Sequence, residues 1–247
     1  MRRPGAKKEC RLDADELCLE FFARTAATYD ASHSPRDEHG FALAWLVGLV
    51  EYHGFSSYLE VGAGTGRHLL ELKARLPKLW LVAVEPVCVM REQAYAKGIP
   101  REIMIPGDGM ALPFRDGSFD VVAEFGVLHH VPNPEVVINE MLRVSRKAIF
   151  ISDCNNFGHG SRGVRYLKRM LRSLGLWRAF DWVRTGGKRY HVSDGDGISY
   201  SYSVFNDLRL VSRHTSAIHL LNTRSLDGPM TGNLLASASH IPESGGF

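Results

Sequence analysis

Gly62, Gly64 and Gly66 take alternate positions in YLEVGAGTGRHLLEL (58–72), between an apolar run and a helical pattern. Glycines so placed let backbone N–H groups and a helix N-terminus approach a ligand that carries acceptor atoms or negative charge. Three acids accompany them. Glu60 precedes the first glycine, Glu85 closes the apolar run LWLVAVE, and Asp108 lies in GDGMALPFRDGSFD. An ionised carboxylate accepts two hydrogen bonds side by side, so Glu85 suits the two hydroxyls of a ribose, and Asp108 suits the amino group of a base. Further on, VLHHVP presents His129 and His130, and neutral imidazole can take a proton from a reacting hydroxyl near pH 7. Of the two, His129 is expected to face the pocket and His130 to turn elsewhere. Taken singly, each acid also fits a strand end or a turn, and each histidine a hydrogen-bonded loop residue.

The elements that must hold these groups follow from periodicity. Strand patterns at 57–61, 79–85, 102–105, 119–125 and 147–153 alternate with helical ones running to about Arg75, over 87–97 and over 134–145. Asn133 is expected to cap the last helix, with Pro134 as its first residue. Strands separated by helices make a parallel sheet with right-handed crossovers. The three ligand-binding candidates then fall at the ends of three successive strands, where an open parallel sheet binds its ligands. Two helices, at 17–29 and ending at Gly54, precede the first strand and cover the sheet. After Asp153 the rhythm breaks. A helix near 203–212, capped by Ser203, and strands near 216–222 and 234–241 are expected to close the sheet.

Spacing decides between nucleotides. The dinucleotide pattern G-x-G-x-x-G needs a glycine at 67, where the chain has Arg67. The segments FFARTAATYD, LEVGAGTGRHLLEL, VAVEPVCVM, GDGMALPFRDGSFDVV, LHHVPNPEVVINEMLRVS and AIFISD, in that order, resemble the class I S-adenosylmethionine-dependent methyltransferases. Among these, the chain is similar to the ubiquinone/menaquinone-type (type 11) family from about Phe21 to Asp153. The resemblance implies an α/β, Rossmann-like, seven-stranded, mostly parallel sheet with helices on both faces. It implies S-adenosyl-L-methionine as cofactor, with Glu60, Gly62, Ala63, Gly64 and Gly66 at its methionine part and Glu85 on the ribose. Pro86 belongs to the same strand end, Met90 packs on the adenine, and Asp108 with Gly109 or Met110 holds the adenine edge. Tyr29 and the segment Glu124, Phe125 and Gly126 flank the sulfonium. The Pro-Gly turn usual before the fifth strand of this family is absent from RVSRKAIF.

The domain reading is an N-terminal helical cap at 1–55, a cofactor-binding core at 56–153, a basic insertion or lid at 154–202, and closing core elements at 203–247. Methyl transfer from a sulfonium is an in-line displacement. The protein's main task is therefore to hold donor and acceptor in line, and a base helps where the acceptor is a hydroxyl. The expected reaction is methylation of a small molecule, oxygen being preferred over carbon or nitrogen as acceptor, with His129 and His130 as the candidate catalytic residues. A non-catalytic cofactor-binding protein is the alternative, opposed by the intact acids at 85 and 108. A nicotinamide-dependent oxidoreductase is opposed by Arg67.

Composition bounds the rest. The chain has 247 residues, 45% hydrophobic and 23% charged, the balance of a globular domain. No apolar run nears the ~20 residues of a membrane helix and no secretory signal is read, so the expected location is the cytoplasm. Four cysteines show neither CxxC pairing nor zinc spacing; they are read as reduced thiols, and no metal is expected. The formal charge of +3 is uneven, since residues 161–191 hold seven Arg and two Lys against Asp181 alone. Three readings stand for that amphipathic segment: a solvated face of a packing helix, a lid over an anionic substrate, or a contact with nucleic acid or a lipid surface. Nucleic acid is disfavoured because no recognition module is present, and a membrane because the amphipathic stretch is short.

Overall fold

The computed structural model describes residues 14–32, 38–158, 160–222 and 234–239. Two helices come first, α1 (Ala14–Thr25) and α2 (Glu38–His53). The alternating core follows as β1 (Ser57–Val61), α3 (Arg67–Arg75), β2 (Trp80–Val84), α4 (Cys88–Ala96), β3 (Met104–Ile105), β4 (Phe119–Phe125), α5 (Pro134–Val144) and β5 (Ser145–Asp153). Then come α6 (Arg162–Ser173), α7 (Trp177–Arg184), the hairpin β6 (Tyr190–Ser193) and β7 (Gly197–Tyr200), α8 (Leu208–Ser212), β8 (Ala217–Asn222) and β9 (Leu234–Ser239).

Five strands run parallel in the order β3-β2-β1-β4-β5, and β9 then β8 extend the sheet antiparallel beyond β5. β1 and β4 are buried along their whole length, which is why they read as near-continuous apolar runs. One face packs Tyr58, Ala83, Val121, Ala123, Phe125 and Phe150 against α2, α3 and α4. The other packs Leu59, Val61, Val84, Val122, Ile149 and Ile151 against α5 and α8. The result is an α/β, Rossmann-like sheet with helices on both faces. Its strand order reverses between β1 and β4, so the carboxyl ends of β1, β2 and β4 open a crevice at the switch point.

Two local expectations differ. The helix over 203–212 is only Leu208–Ser212, and its N-cap is Asp207. The Ser203 hydroxyl bonds Asn155 instead and receives the Phe205 N–H. Asn133 stands at the start of α5 without a side-chain cap bond, leaving Pro134 to set the first turn. The basic segment is two helices, because Gly175 at φ +70° ends α6 before α7 begins. The boundaries 1–13, 33–37, 159, 223–233 and 240–247 in the expected layout lie outside the described residues.

Candidate functional site

The glycine turn is built by close approach. Gly62 (φ +69°) and Ala63 both donate their N–H to the Val84 carbonyl, at 2.9 and 3.1 Å, which folds the chain over the end of β2. A Cβ on Gly62 would stand 2.5 Å from Val127 Cγ2, so only glycine fits. Gly64 (φ +54°) has open space at its α-carbon and donates to Glu85 Oε2 at 2.8 Å. Gly66 serves packing: a Cβ there would meet Ala94, Ile99 and Met104.

Glu85 is 5% exposed, and its other oxygen accepts from Val87 N at 2.8 Å. Burial raises its pKa, while the Val87 and Gly64 amides and Arg91 oppose the rise. Both oxygens are thus fixed in orientation, and each keeps a lone pair for a donor.

A cleft between the strand ends and α1 lies above these groups. Of the residues read from the sequence, it brings together Tyr29, Gly62, Gly64, Glu85, Pro86, Met90, Asp108, Gly109, Phe125, Gly126 and His130. Asp108 holds the loop shape by accepting from Met110 N at 2.8 Å. Gly109 lies so close to Val61 that a Cβ would come within 2.8 Å of it.

Six expected residues do not line the cleft: Glu60, Ala63, Gly66, Met110, Glu124 and His129. Glu60 is 1% exposed beneath the turn, bonded to the Tyr58 hydroxyl at 3.2 Å and to His68 Nδ1 at 3.1 Å. It braces the turn from below. Met110 packs in the α5 core, and Glu124 is fully buried, accepting from Val127 N at 2.8 Å. Burial and the nearby Asp153 hold the Glu124 pKa well above its ordinary value.

The histidine pair is reversed from the expectation. His130 faces the cleft, with its ring 5.0 Å from Phe22 of α1. His129 turns away because Asp153 takes its Nδ1 at 2.7 Å, and Asp153 itself is anchored by the Leu128 amide at 2.7 Å. Burial disfavours charge on His129, yet Asp153 and Asp196 carry its pKa up to about 10. It is an imidazolium near neutral pH, not a free base. Burial and the charged neighbour push His130 down to about 4, so that ring is neutral.

Cys18, Leu19, Phe22, Val61, Val87, Val127, Val131 and Val137 complete the cleft. These apolar positions on α1, on α5, at strand ends and in the β4–α5 connection read as ordinary core residues, and nothing in their type marked them. Asp30, after α1, bonds both Thr65 of the turn and Lys97 just past the end of α4, tying the covering segment to the glycine turn. Burial, with Asp15 next, pushes the Cys18 thiol up to about 11, which keeps it protonated. Cys18, Cys88 and Cys154 are free thiols.

The basic helices are partly tied down. Lys168 bonds Asn156, Arg172 reaches the Phe205 carbonyl and lies over Phe157, and Arg184 pairs with Asp181. Arg178 and Arg189 border a second cavity with Trp177, Asp181 and Tyr200, on the far side of Val131 from the main cleft. No described helix is long and apolar enough to cross a membrane.

Residues 59–151 match a family model described as a methyltransferase domain. The chain is 29% identical over 220 residues to a demethylmenaquinone methyltransferase of Roseiflexus castenholzii, covering 83% of this chain and 92% of that protein. It is 50% identical over 172 residues to an uncharacterized methyltransferase of Mycobacterium sp. (strain KMS), covering 65% of this chain and 66% of that one. In fold it is similar to magnesium protoporphyrin IX methyltransferase from Synechocystis PCC 6803, solved with bound SAM. That match has a TM-score of 0.62 at 12% identity over 95% of this chain and 100% of the other.

Proposed function

Because this chain is a class I S-adenosylmethionine-dependent methyltransferase, we propose that its acceptor is an apolar, ring-bearing small molecule methylated on oxygen. One observation carries the reading: Leu19, Phe22 and Val131 line the cleft together with the neutral ring of His130, which stands 5.0 Å from Phe22. An apolar wall with one convergent polar group binds a flat hydrophobic body and orients a single heteroatom. The relative named for demethylmenaquinone, a quinone, supports a ring acceptor of this kind.

In this reading Glu85 accepts from the ribose hydroxyls and Asp108 from the adenine amino group, while Met90, Pro86 and Val87 pack against the base. The Gly62–Gly64 backbone gives room for the methionine part, and Glu60 acts on it only by bracing the turn. Tyr29, Phe125 and Gly126 flank the sulfonium, where an aromatic face is worth ~0.5–2 kcal/mol. The bound cofactor supplies the methyl group and its leaving group. The chain aligns the acceptor with the sulfur, an effect worth up to ~7–11 kcal/mol, and excludes water by closing α1 over the cleft. The acceptor's hydroxyl lies beside the His130 ring, and His129 is not a free base for it.

The test is incubation with methyl-labelled S-adenosylmethionine and a panel of naphthols, naphthoquinols and catechols, with products read by mass spectrometry. Label on a ring oxygen is the expected result. Label on ring carbon alone would replace oxygen with carbon as the acceptor.

A further inference from the structure

Three side chains converge at the acceptor end with a geometry the cofactor does not need. His129 Nε2 lies 3.5 Å from Asp196 Oδ2, and His130 Nε2 lies 3.5 Å from Asp196 Oδ1. All three groups offer a ligand atom within 4.8 Å of one another. Each imidazole has its other nitrogen engaged: His129 Nδ1 with Asp153 at 2.7 Å, His130 Nδ1 with the Ile198 carbonyl at 2.6 Å. A carbonyl oxygen only accepts, so His130 Nδ1 carries the hydrogen and its Nε2 presents a lone pair. Asp153 holds His129 in the same orientation, and an ion at Nε2 takes the place of the proton that the ring carries there without one.

The 3.5 Å separations exceed the ~2.7–3.2 Å of a well-formed N–H···O bond. Two ligands bound at ~2.0–2.1 Å to one tetrahedral ion stand about 3.3–3.4 Å apart, close to what is seen. Metal-bound histidines almost always give their second N–H to a carboxylate or a backbone carbonyl, and both arrangements are present here.

The other grouping nearby, His129 with Asp153 and Cys154, is poorer. The Asp153 carboxylate already accepts from Leu128 N, His129 N, His129 Nδ1 and Cys154 N, so it is an outer partner and not a ligand.

We propose that His129 Nε2, His130 Nε2 and the Asp196 carboxylate form a site for one divalent transition-metal ion of the zinc class, with an open coordination position toward the cofactor cleft. Two imidazoles and a carboxylate favour such an ion over magnesium or calcium, which take oxygen ligands. The third ligand is held in place. Asp196 sits in the β6–β7 turn with its N–H on Ser193 Oγ, and next to it Gly197 (φ +63°) packs so tightly on Phe21 that a Cβ would fall 2.5 Å from that ring. α1 therefore positions the turn and covers the cleft at once.

His130 is shared by the site and the cleft lining, which puts the open position beside the acceptor heteroatom. There an ion lowers the pKa of an acceptor hydroxyl. The O–H proton leaves to water, an oxygen lone pair takes the methyl, and the C–S electron pair stays on sulfur as the neutral thioether. Ion binding stands on its own, and the inference rests on the oxygen acceptor only for the use made of the ion.

The test is calorimetric titration of the chelator-stripped full chain with zinc chloride, with S-adenosylhomocysteine binding measured on the same samples. Wild type is expected to take up one equivalent at the site, and Asp196→Ala, on an exposed turn, to weaken that uptake at least ~10-fold. Asp153→Asn is expected to weaken it ~10–100-fold through loss of the outer partner. Zinc uptake that is absent, or unchanged in Asp196→Ala, overturns the proposal. Bound zinc with no S-adenosylhomocysteine binding would uphold the metal site and strike the cofactor reading instead.

Discussion

Gly62 and Glu85 carry the site at the level of single residues, for opposite reasons. Gly62 is defined by what cannot be added, since a methyl group would collide with Val127 at a backbone angle of +69°. Gly62→Ala is expected to abolish S-adenosylhomocysteine binding in calorimetry, with the variant still folded by circular dichroism. Glu85 is defined by a carboxylate that lines the cleft while an amide holds each of its oxygens. Glu85→Gln is expected to weaken the same ligand by about 1.5–3 kcal/mol, roughly 10–100-fold, the range for hydrogen bonds to a charged group. His129→Ala is expected to lower turnover at least ~10-fold with cofactor affinity nearly unchanged, because its contacts are with Asp153 and Asp196 and not with the cleft. Unaltered turnover would remove His129 from the chemistry. These residues were legible to different degrees. Glu85 and Asp108 stood out because acids at strand ends are costly without a partner. Which histidine turns inward was not legible, because it depends on Asp153, 24 residues further on. Asp196 lay in SDGDG, which reads as a turn and nothing more.

Among the elements, the loop from Asp108 to Ser118 is held by α5. Arg143 donates to the Phe114 and Leu112 carbonyls at 2.8 and 3.1 Å and pairs with Glu140 and Asp116, while Glu140 receives the Leu112 amide. Arg143→Ala is expected to lower Tm and to raise the KM for S-adenosylmethionine, because the loop that carries Asp108 loses its anchor. An unchanged KM with a lowered Tm would confine the clamp to stability. At the start of α8, burial raises the Asp207 pKa from 3.8 to about 6. Its charged form is disfavoured in the fold, so stability is highest below pH ~4, falls as pH rises to ~6, and stays reduced above. Partial solvent screening leaves an effect of about 1–2 kcal/mol. Asp207→Asn is expected to raise Tm at pH 7.5 and to match wild type near pH 4. The core helices and parallel strands were legible within a residue or two, because a sheet covered on both faces leaves strong apolar periods. After Asp153 the closing strands near 216–222 and 234–241 were legible too, but the hairpin and the short extent of α8 were not. The β6–β7 hairpin is short and rich in Ser, Asp and Gly, and its position is set by packing on Phe21, a contact with no local signal.

At the scale of the whole molecule, the cleft is lined by parts far apart in sequence: α1, the glycine turn, Glu85 with the start of α4, Asp108, and the segment from Phe125 to Val131. A ligand that joins them should stabilise the chain as a unit. S-adenosylhomocysteine at 100 times its Kd is expected to add about 2.7 kcal/mol, a rise in Tm of roughly 5–11 °C. NADH, with Arg67 where its third glycine would be needed, is expected to leave Tm in place. The most direct measurement is calorimetric titration of S-adenosylhomocysteine into wild type and Glu85→Gln side by side. The account predicts a single site per chain in wild type and affinity reduced ~10–100-fold in the variant. No binding to wild type, or equal binding to both, would contradict it.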